Sequence, residues 1–300
     1  MSEGEIMAEI IYFNRHLVPR AEAKLSPFDH GFLYGYGLFE TMRAYEGHIF
    51  RLDRHLTRLR CSAESLGLRP QLDAFDLENA CMETLRANNL KDARLRLTIS
   101  AGEGDMAPDP GTCSGLTILV TARNFVPLLR ERYEQGFKAA PSFLRRDSQS
   151  PLSRLKCTCY VSNILARMEA KAAGCDEAIM LNELGYIAEG STSNIFLVSG
   201  GAIITPSLES GILPGITREA VLEIAQTSNI KAVERKVELK ELTLAGEAFI
   251  TNSILEIMPL TCFDGKSIGT GKPGELTKNL MAAYRKLVNT ETSAAGRCCP

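Results

Sequence analysis

Strand-like and helix-like segments alternate along this chain of 300 residues and fall into two blocks. In the first block, residues 38–45 and 48–51 flank the turn Glu46-Gly47, a pattern that predicts a β-hairpin. Apolar residues then recur at helical spacing over residues 52–66. Because such strands and helices must bury their apolar sides against each other, the alternation predicts a mixed α/β fold.

The length of the chain favours one large or two medium domains. Residues 1–125 are expected to form a small α/β domain, and residues 126–136, with the polar stretch 130–136, an interdomain linker. Residues 137–290 would form a larger domain, and the polar tail 291–300 is expected to be disordered. The patterns predict further strands at 9–13, 94–100, 116–123, 137–142, 177–182, 186–189, 193–199, 202–205, 230–237, 247–251 and 255–260, and further helices at 73–88, after Lys156, at 216–228 and at 274–288.

The charge balance argues against a nucleic acid or an anionic membrane as partner. The formal net charge is -2, so neither polyanion would meet a basic surface to neutralise. No segment resembles a signal peptide or a long apolar span, so a cytoplasmic location is expected. The nine cysteines are odd in number and irregularly spaced, which is typical of free thiols rather than a disulfide framework.

Cys157-Thr158-Cys159 places two thiols next to Lys156. One residue separates the cysteines, whereas zinc and redox motifs use two, and the chain has only four histidines, so no metal site is expected. The two thiols could modulate the neighbouring lysine or simply pack, and packing is the favoured interpretation.

Lys156 and Glu189 are the residues that most strongly suggest chemistry. Lys156 has almost uncharged neighbours, and a poorly solvated lysine is a good nucleophile for an aldehyde. Glu189 ends a strand-like run and could hold a proton on a pyridine nitrogen. Taken alone, each residue is better explained as an ordinary surface group, and it is the pair that suggests pyridoxal phosphate.

A possible phosphate site lies where residues 213–219 open a helix. Gly215 permits close backbone approach, and the N–H groups of Ile216 and Thr217 would face an anion. Arg58 could add a forked guanidinium. The alternatives are an ordinary capped helix and an arginine on a solvated helix face.

Several segments in this order resemble the class IV aminotransferase family, the fold-type IV enzymes that use pyridoxal 5'-phosphate. They are residues 37–43, 51–59, 94–96, 155–156, 189–196, 213–218 and 251–259. The resemblance implies a small α/β N-terminal domain and a larger β-rich C-terminal domain, with the cofactor between them. It also implies a homodimer that acts on a small amino substrate.

The resemblance assigns roles to residues of this sequence. Lys156 would form the Schiff base and Thr41 would assist proton delivery. The other implied cofactor-binding residues are Arg58, Tyr160, Glu189, Asn194, Ile216, Thr217 and Ser253, and the implied substrate-binding residues are Phe39, Arg94, Arg96, Asn252 and Ile254.

The family catalyses more than one reaction. The match favours a 4-amino-4-deoxychorismate lyase, which forms 4-aminobenzoate and pyruvate for folate synthesis through the Schiff base at Lys156 and a quinonoid. The alternative is a branched-chain L-amino-acid aminotransferase that transfers an amino group to 2-oxoglutarate, and a third is a non-catalytic pyridoxal-phosphate-binding homologue. The D-amino-acid type is disfavoured, since its carboxylate-binding residues would fall near Met106 and Pro108.

Particular positions distinguish the first two reactions. Thr41 and the loop Asn252-Ser253-Ile254-Leu255 look lyase-like, and the branched-chain type would have glycine at Thr41 and tyrosine at Arg94. Phe39 and Arg96 fit the branched-chain type. From sequence alone, the lyase is the first expectation.

Overall fold

The computed structural model describes residues 9–295, with side-chain surroundings described to residue 293. The chain divides into two compact units. The first contains the chain to Val126 together with the short segment Lys156–Cys159. The second contains Pro127–Leu155 and Tyr160–Ser293. The predicted mixed α/β class is confirmed.

The first unit is an antiparallel sheet with helices packed on it. The strands run in the order β2-β1-β6-β5-β3-β4, and α2 and α4 pack against them. The elements are β1 (Ile10–Phe13), β2 (His16–Pro19), α1 (His30–Tyr34), β3 (Gly37–Tyr45), β4 (His48–Ile49), α2 (Leu52–Ser65), α3 (Arg69–Leu72), α4 (Leu77–Ala87), β5 (Ala93–Ser100) and β6 (Thr117–Asn124).

Strand β3 is the longest strand of this unit, and its two faces differ. Side chains alternate along a strand, so Leu38, Glu40 and Met42 lie on one face, where each is fully buried on the side of α2. Phe39 and Thr41 lie on the opposite face. The β-hairpin predicted at this position is confirmed.

The segment Lys156–Cys159 extends the free edge of β3. The Phe39 N–H donates to the carbonyl of Lys156 at 2.8 Å, and the Thr158 N–H donates to the carbonyl of Gly37 at 2.9 Å. A side chain on Gly37 would lie 2.4 Å from the carbonyl oxygen of Ile99 in β5, so glycine is needed where β3 approaches β5. The antiparallel pairing puts Lys156 opposite Phe39, and paired residues point to the same face.

The second unit is built on a larger, mixed sheet. Its main path is β12-β11-β10-β13-β14-β7-β8-β9, and β15 pairs with β14. The elements are α5 (Arg130–Gln135), β7 (Phe137–Arg146), α6 (Val161–Ala172), β8 (Glu177–Asn182), β9 (Ile187–Gly190), β10 (Asn194–Ser199), β11 (Ala202–Pro206), α7 (Ile216–Thr227), β12 (Ala232–Arg235), α8 (Leu239–Leu244), β13 (Glu247–Asn252), β14 (Glu256–Phe263), β15 (Lys266–Ser267) and α9 (Glu275–Ala295).

The core of this unit is formed by strands with few polar residues. Residues of β8, β9 and β10 are almost all buried, which explains their nearly continuous apolar sequences. The Phe196 and Phe249 rings form a cross-strand stack with centroids 4.9 Å apart. This rigid sheet carries Glu189 at the end of β9 and Asn194 at the start of β10.

Two segments differ from the sequence expectation. Residues 130–135 of the expected linker form α5, because Tyr133 packs into the core of the second unit and is 8% exposed. Helix α9 continues to Ala295, so residues 291–295 of the expected tail are helical; residues 296–300 lie outside the described part. Among the helices of residues 9–295, none is long and apolar enough to cross a membrane.

Candidate active site

Lys156 lies against an aromatic ring that it shares with an arginine. Its Nζ is 4.5 Å from the centroid of the Phe39 ring, and the Arg96 guanidinium carbon is 3.8 Å from the same centroid. Phe39 is buried, and Arg96 Nε donates to Thr98 Oγ1 at 3.1 Å. A cation held on a buried ring keeps a fixed direction. An amine and a guanidinium are therefore presented together on one face of the first unit.

Strand register brings the other predicted substrate residues to this face. Thr41 is directly opposite Arg96, and Arg94 is opposite Arg43. Because residues two apart in a strand share a face, Phe39, Thr41, Arg94 and Arg96 lie on the same side of the sheet. Arg43, which the sequence analysis did not single out, is stacked between the rings of Tyr45 and Phe125, each 4.3 Å from its guanidinium carbon.

Arg58, predicted to bind a phosphate, is held by a buried carboxylate. Its Nε and Nη2 donate to the two oxygens of Glu40 at 2.8 and 2.6 Å. His55, one turn earlier on α2, lies with Nδ1 2.7 Å from the same carboxylate. Glu40 and His55 are 0% and 1% exposed. We refer to Glu40, His55 and Arg58 as the β3–α2 cluster.

The charges of the β3–α2 cluster follow from its surroundings. Burial alone would raise the pKa of Glu40, but the charge of Arg58 and the hydrogen bonds from His55 and Arg58 lower it to about 2. Burial lowers the pKa of His55, Glu40 opposes that effect, and the charges of Arg58 and Lys156 lower it further. Because the carboxylate can only accept, a neutral His55 donates through Nδ1–H.

Glu189 is held by three donors in the second unit. Oε1 lies 3.1 Å from Arg146 Nη2. Oε2 accepts from Asn194 Nδ2 at 3.3 Å and from the Leu213 N–H at 3.0 Å. Arg146 is fixed in turn by the carbonyls of Gly211 and Ser153, at 3.1 and 2.5 Å. The carboxylate is thus oriented and kept beside a positive charge.

The turn of residues 190–193 connects other predicted residues. Glu177, which is buried, accepts hydrogen bonds from the Ser191 and Ser193 hydroxyls. The Ser191 carbonyl accepts from the Tyr160 hydroxyl at 3.4 Å and from Asn163 Nδ2 at 2.8 Å. Tyr160 is therefore hydrogen-bonded to the turn that begins directly after Glu189.

The start of α7 has the features of an anion site. Gly215 is the N-cap and no side chain of the described residues caps the helix, so no capping side chain satisfies the N–H groups of Ile216 and Thr217. A side chain on Gly215 would lie 1.9 Å from Asn194 Oδ1. Thr251, on the neighbouring strand β13, has a buried Oγ1 that finds no hydrogen-bond partner within residues 9–293.

The loop after β13 is organised by Asn252. Its Oδ1 accepts from the N–H groups of Ile254 and Leu255 at 2.9 and 2.7 Å, and its Nδ2 donates to the Thr192 carbonyl at 3.2 Å. Asn252 therefore shapes the loop that contains Ser253 and Ile254. The predicted contact of Asn252 with a substrate stays a prediction.

Sequence reasoning missed the partners of the predicted residues. Arg146 and Glu177 carry no local signal, because their partners lie many residues away in the chain. Glu40 and His55 could have been found, since Glu40 lies inside the motif around Phe39, and His55 and Arg58 share one helix face.

This chain is similar to known proteins over most of its length. A family model described as amino-transferase class IV matches residues 37–262. A Methanocaldococcus jannaschii protein, provisionally named a branched-chain-amino-acid aminotransferase, is 40% identical over 92% of this chain and 96% of its own. The aminodeoxychorismate lyase of Bacillus subtilis is 37% identical over 92% of this chain and 94% of its own.

A solved structure is similar over most of the chain. It is the branched-chain amino acid aminotransferase of T.th., crystallised with pyridoxamine 5'-phosphate. Its TM-score is 0.86 at 31% identity, and the match covers 95% of each chain.

Proposed function

Because the chain belongs to the class IV aminotransferase family, whose enzymes use pyridoxal 5'-phosphate, we propose that it is a branched-chain-type L-amino-acid aminotransferase that passes the amino group to 2-oxoglutarate. The observation that carries this proposal is the pair of cations on the Phe39 ring, Lys156 and Arg96. Such a pair suits an amino-acid substrate, since Arg96 would bind the carboxylate and Lys156 would act at the adjacent Cα. The names of the relatives support this function better than the lyase that the sequence alone favoured.

The residues present fit the cofactor. The start of α7 and the buried Thr251 Oγ1, which has no partner within residues 9–293, offer donors of the kind a phosphate accepts. Glu189, held as a carboxylate beside Arg146, suits a protonated ring nitrogen. We propose that Ile216, Thr217, Ser253 and Arg58 hold the phosphate, that Tyr160 and Asn194 hold the ring with Glu189, and that Lys156 binds the aldehyde.

Each residue of the proposed site would have its own role in the reaction. When bound, pyridoxal phosphate supplies an electron sink for the charge left at the substrate Cα. Lys156 would bind the cofactor aldehyde, and its Nζ, when not so bound, would move the proton at the substrate Cα. Phe39 limits water around that amine, and Arg96 orients the substrate through a carboxylate.

A second candidate is the lyase reaction, which Thr41 favours. Its hydroxyl lies on the face of Lys156 and is paired in register with Arg96. At this position it could deliver a proton that the branched-chain type, with glycine there, could not. The lyase from Bacillus subtilis is similar over most of the chain.

One paired assay tests both candidates. The holoenzyme is mixed with L-leucine or L-glutamate, and conversion of the cofactor to its amine form is followed by absorbance. In parallel, release of 4-aminobenzoate from aminodeoxychorismate is measured. We expect conversion with both amino acids and little aminobenzoate. Rapid aminobenzoate release without conversion by leucine would instead establish the lyase.

We also propose that the protein forms a homodimer, supported by an apolar stripe on α6. Val161, Ile164, Leu165 and Met168 are spaced along one helix face and are 66%, 55%, 44% and 59% exposed. Exposed contiguous apolar surface of this kind is typical of an interface.

A further inference from the structure

The β3–α2 cluster lies directly behind the residues that face Lys156. Glu40 and Phe39 are neighbours in β3, so their side chains point to opposite faces. Phe39 carries the lysine on one face, and on the other Glu40 holds Arg58 through two hydrogen bonds of 2.8 and 2.6 Å. One strand therefore fixes both groups.

The hydrogen bonds from Arg58 to Glu40 determine which way the guanidinium points. A guanidinium has five N–H donors in a planar fork. Glu40 accepts from Nε and from one hydrogen of Nη2. The remaining donors, on Nη1 and the outer side of Nη2, are directed away from Glu40. The Arg58 side chain is only 10% exposed, so its guanidinium is held largely out of solvent.

His55 completes the arrangement without adding a charge. It donates to the Glu40 oxygen that also accepts from Arg58 Nη2. The carboxylate and the guanidinium thus balance each other, and the neutral imidazole restrains the carboxylate from turning. A histidine that carried a charge here would compete with Arg58 for Glu40.

We propose that Glu40, restrained by His55, is a positioning residue that fixes Arg58 for binding the cofactor phosphate. This inference rests on the proposed function, which places Arg58 at the phosphate. Glu40 itself touches neither cofactor nor substrate. Without its two acceptors, Arg58 would retain its charge but lose its fixed direction, so the loss would appear in phosphate recognition.

The test separates phosphate recognition from general stability. Apoenzyme is titrated with pyridoxal 5'-phosphate and with pyridoxal, which lacks the phosphate. The Kd for pyridoxal divided by the Kd for pyridoxal 5'-phosphate measures phosphate recognition. We expect Glu40→Gln and Arg58→Gln each to reduce this ratio by about tenfold or more. Glu40→Asp should restore part of it.

Two further variants keep the test decisive. Arg58→Lys keeps the positive charge but cannot form the two parallel bonds to Glu40, so it should also lose most of the ratio. Asp29→Asn is the matched control, because Asp29 is another buried carboxylate of the first unit, bonded to Ser100 and Thr117 instead. It should leave the ratio at the wild-type value.

The outcomes distinguish the inference from the proposed function. If Arg58→Gln lowers the ratio while Glu40→Gln and Arg58→Lys keep it, the positioning role is overturned and Arg58 stays at the phosphate. If Arg58→Gln leaves the ratio unchanged, the inference is overturned together with the role of Arg58. The aminotransferase proposal fails separately, through absence of amino transfer by wild-type holoenzyme.

Discussion

Arg146 is the residue that most directly sets the charge at Glu189. The ion pair is 3.1 Å long, and the side chains of Arg146 and Glu189 are 13% and 7% exposed, so solvent screens the contact weakly. The guanidinium favours the carboxylate form of Glu189, which is the form able to hold a proton on the cofactor ring. In the proposed site, Arg146 would therefore act on the cofactor through Glu189.

We expect Arg146→Gln to weaken cofactor binding by the apoenzyme about tenfold and to shift the absorbance of the bound cofactor, because Glu189 loses its counter-charge. Arg145→Gln is the control, since the neighbouring Arg145 donates to backbone carbonyls in its own strand. Equal spectra and affinities for the two variants would show that Glu189 does not depend on Arg146.

Glu40 should make the free energy of unfolding depend on pH in the acid range. Its pKa in the folded protein is about 2, below the ordinary 4.5. The stabilisation is therefore complete above pH 4.5 and is lost as the pH falls from 4.5 through 2; fully developed, it amounts to about 3 kcal/mol. Urea unfolding between about pH 6 and pH 3 should show a steeper loss for wild type than for Glu40→Gln. If the free energy of unfolding fell equally with pH in wild type and in Glu40→Gln, the lowered pKa of Glu40 would be contradicted.

The sequence contained enough to predict the residues that face Lys156, and too little to predict what holds them. Phe39 and Thr41, or Arg94 and Arg96, must share a face once the strands are recognised, because alternation is a local property. The contact between Arg146 and Glu189 depends instead on the tertiary arrangement of β7 and β9. No local pattern encodes such a distance.

At the scale of elements, long periodic segments were predictable and short ones were not. The helix starting at Leu52 and the strands flanking Glu189 have clear periodicity and are confirmed. Helices α3, α5 and α8 span only 4 to 6 residues, less than two turns, so no apolar period can develop. The pairing of Lys156–Cys159 with β3 is likewise a tertiary event.

The start of α7 is expected to tolerate no side chain at its N-cap. Gly215→Ala would push a methyl group to 1.9 Å from Asn194 Oδ1, and Asn194 also bonds Glu189. Cofactor affinity should fall at least about tenfold, since both the helix start and the carboxylate would move. Gly246→Ala is the control, because its nearest contact would be an ordinary 3.6 Å. Equal affinities would contradict the proposed anion site.

At the scale of the whole molecule, the apolar stripe on α6 is a row of exposed apolar side chains on one helix of the second unit. Its side chains repeat at helical spacing, so they form one exposed apolar face of the helix. Burying such a face against a second copy would remove it from water at about 25 cal/mol per Å².

Charged substitutions on this stripe should prevent association. We expect the double variant Ile164→Asp with Leu165→Asp to sediment as a monomer where wild type sediments as a dimer, because two carboxylates would be buried without partners. Leu244→Asp is the control, since Leu244 is an apolar residue of α8, outside the stripe, that is 80% exposed. A dimer that survives in the double variant would exclude this face as the interface.

The proposed function depends above all on which lysine binds the cofactor. Holoenzyme is reduced with borohydride, digested, and searched by mass spectrometry for the peptide that carries the pyridoxyl mass. We expect the label on Lys156, together with loss of the cofactor's visible absorbance band in Lys156→Ala. A label on another lysine, or an unchanged band in that variant, would contradict it.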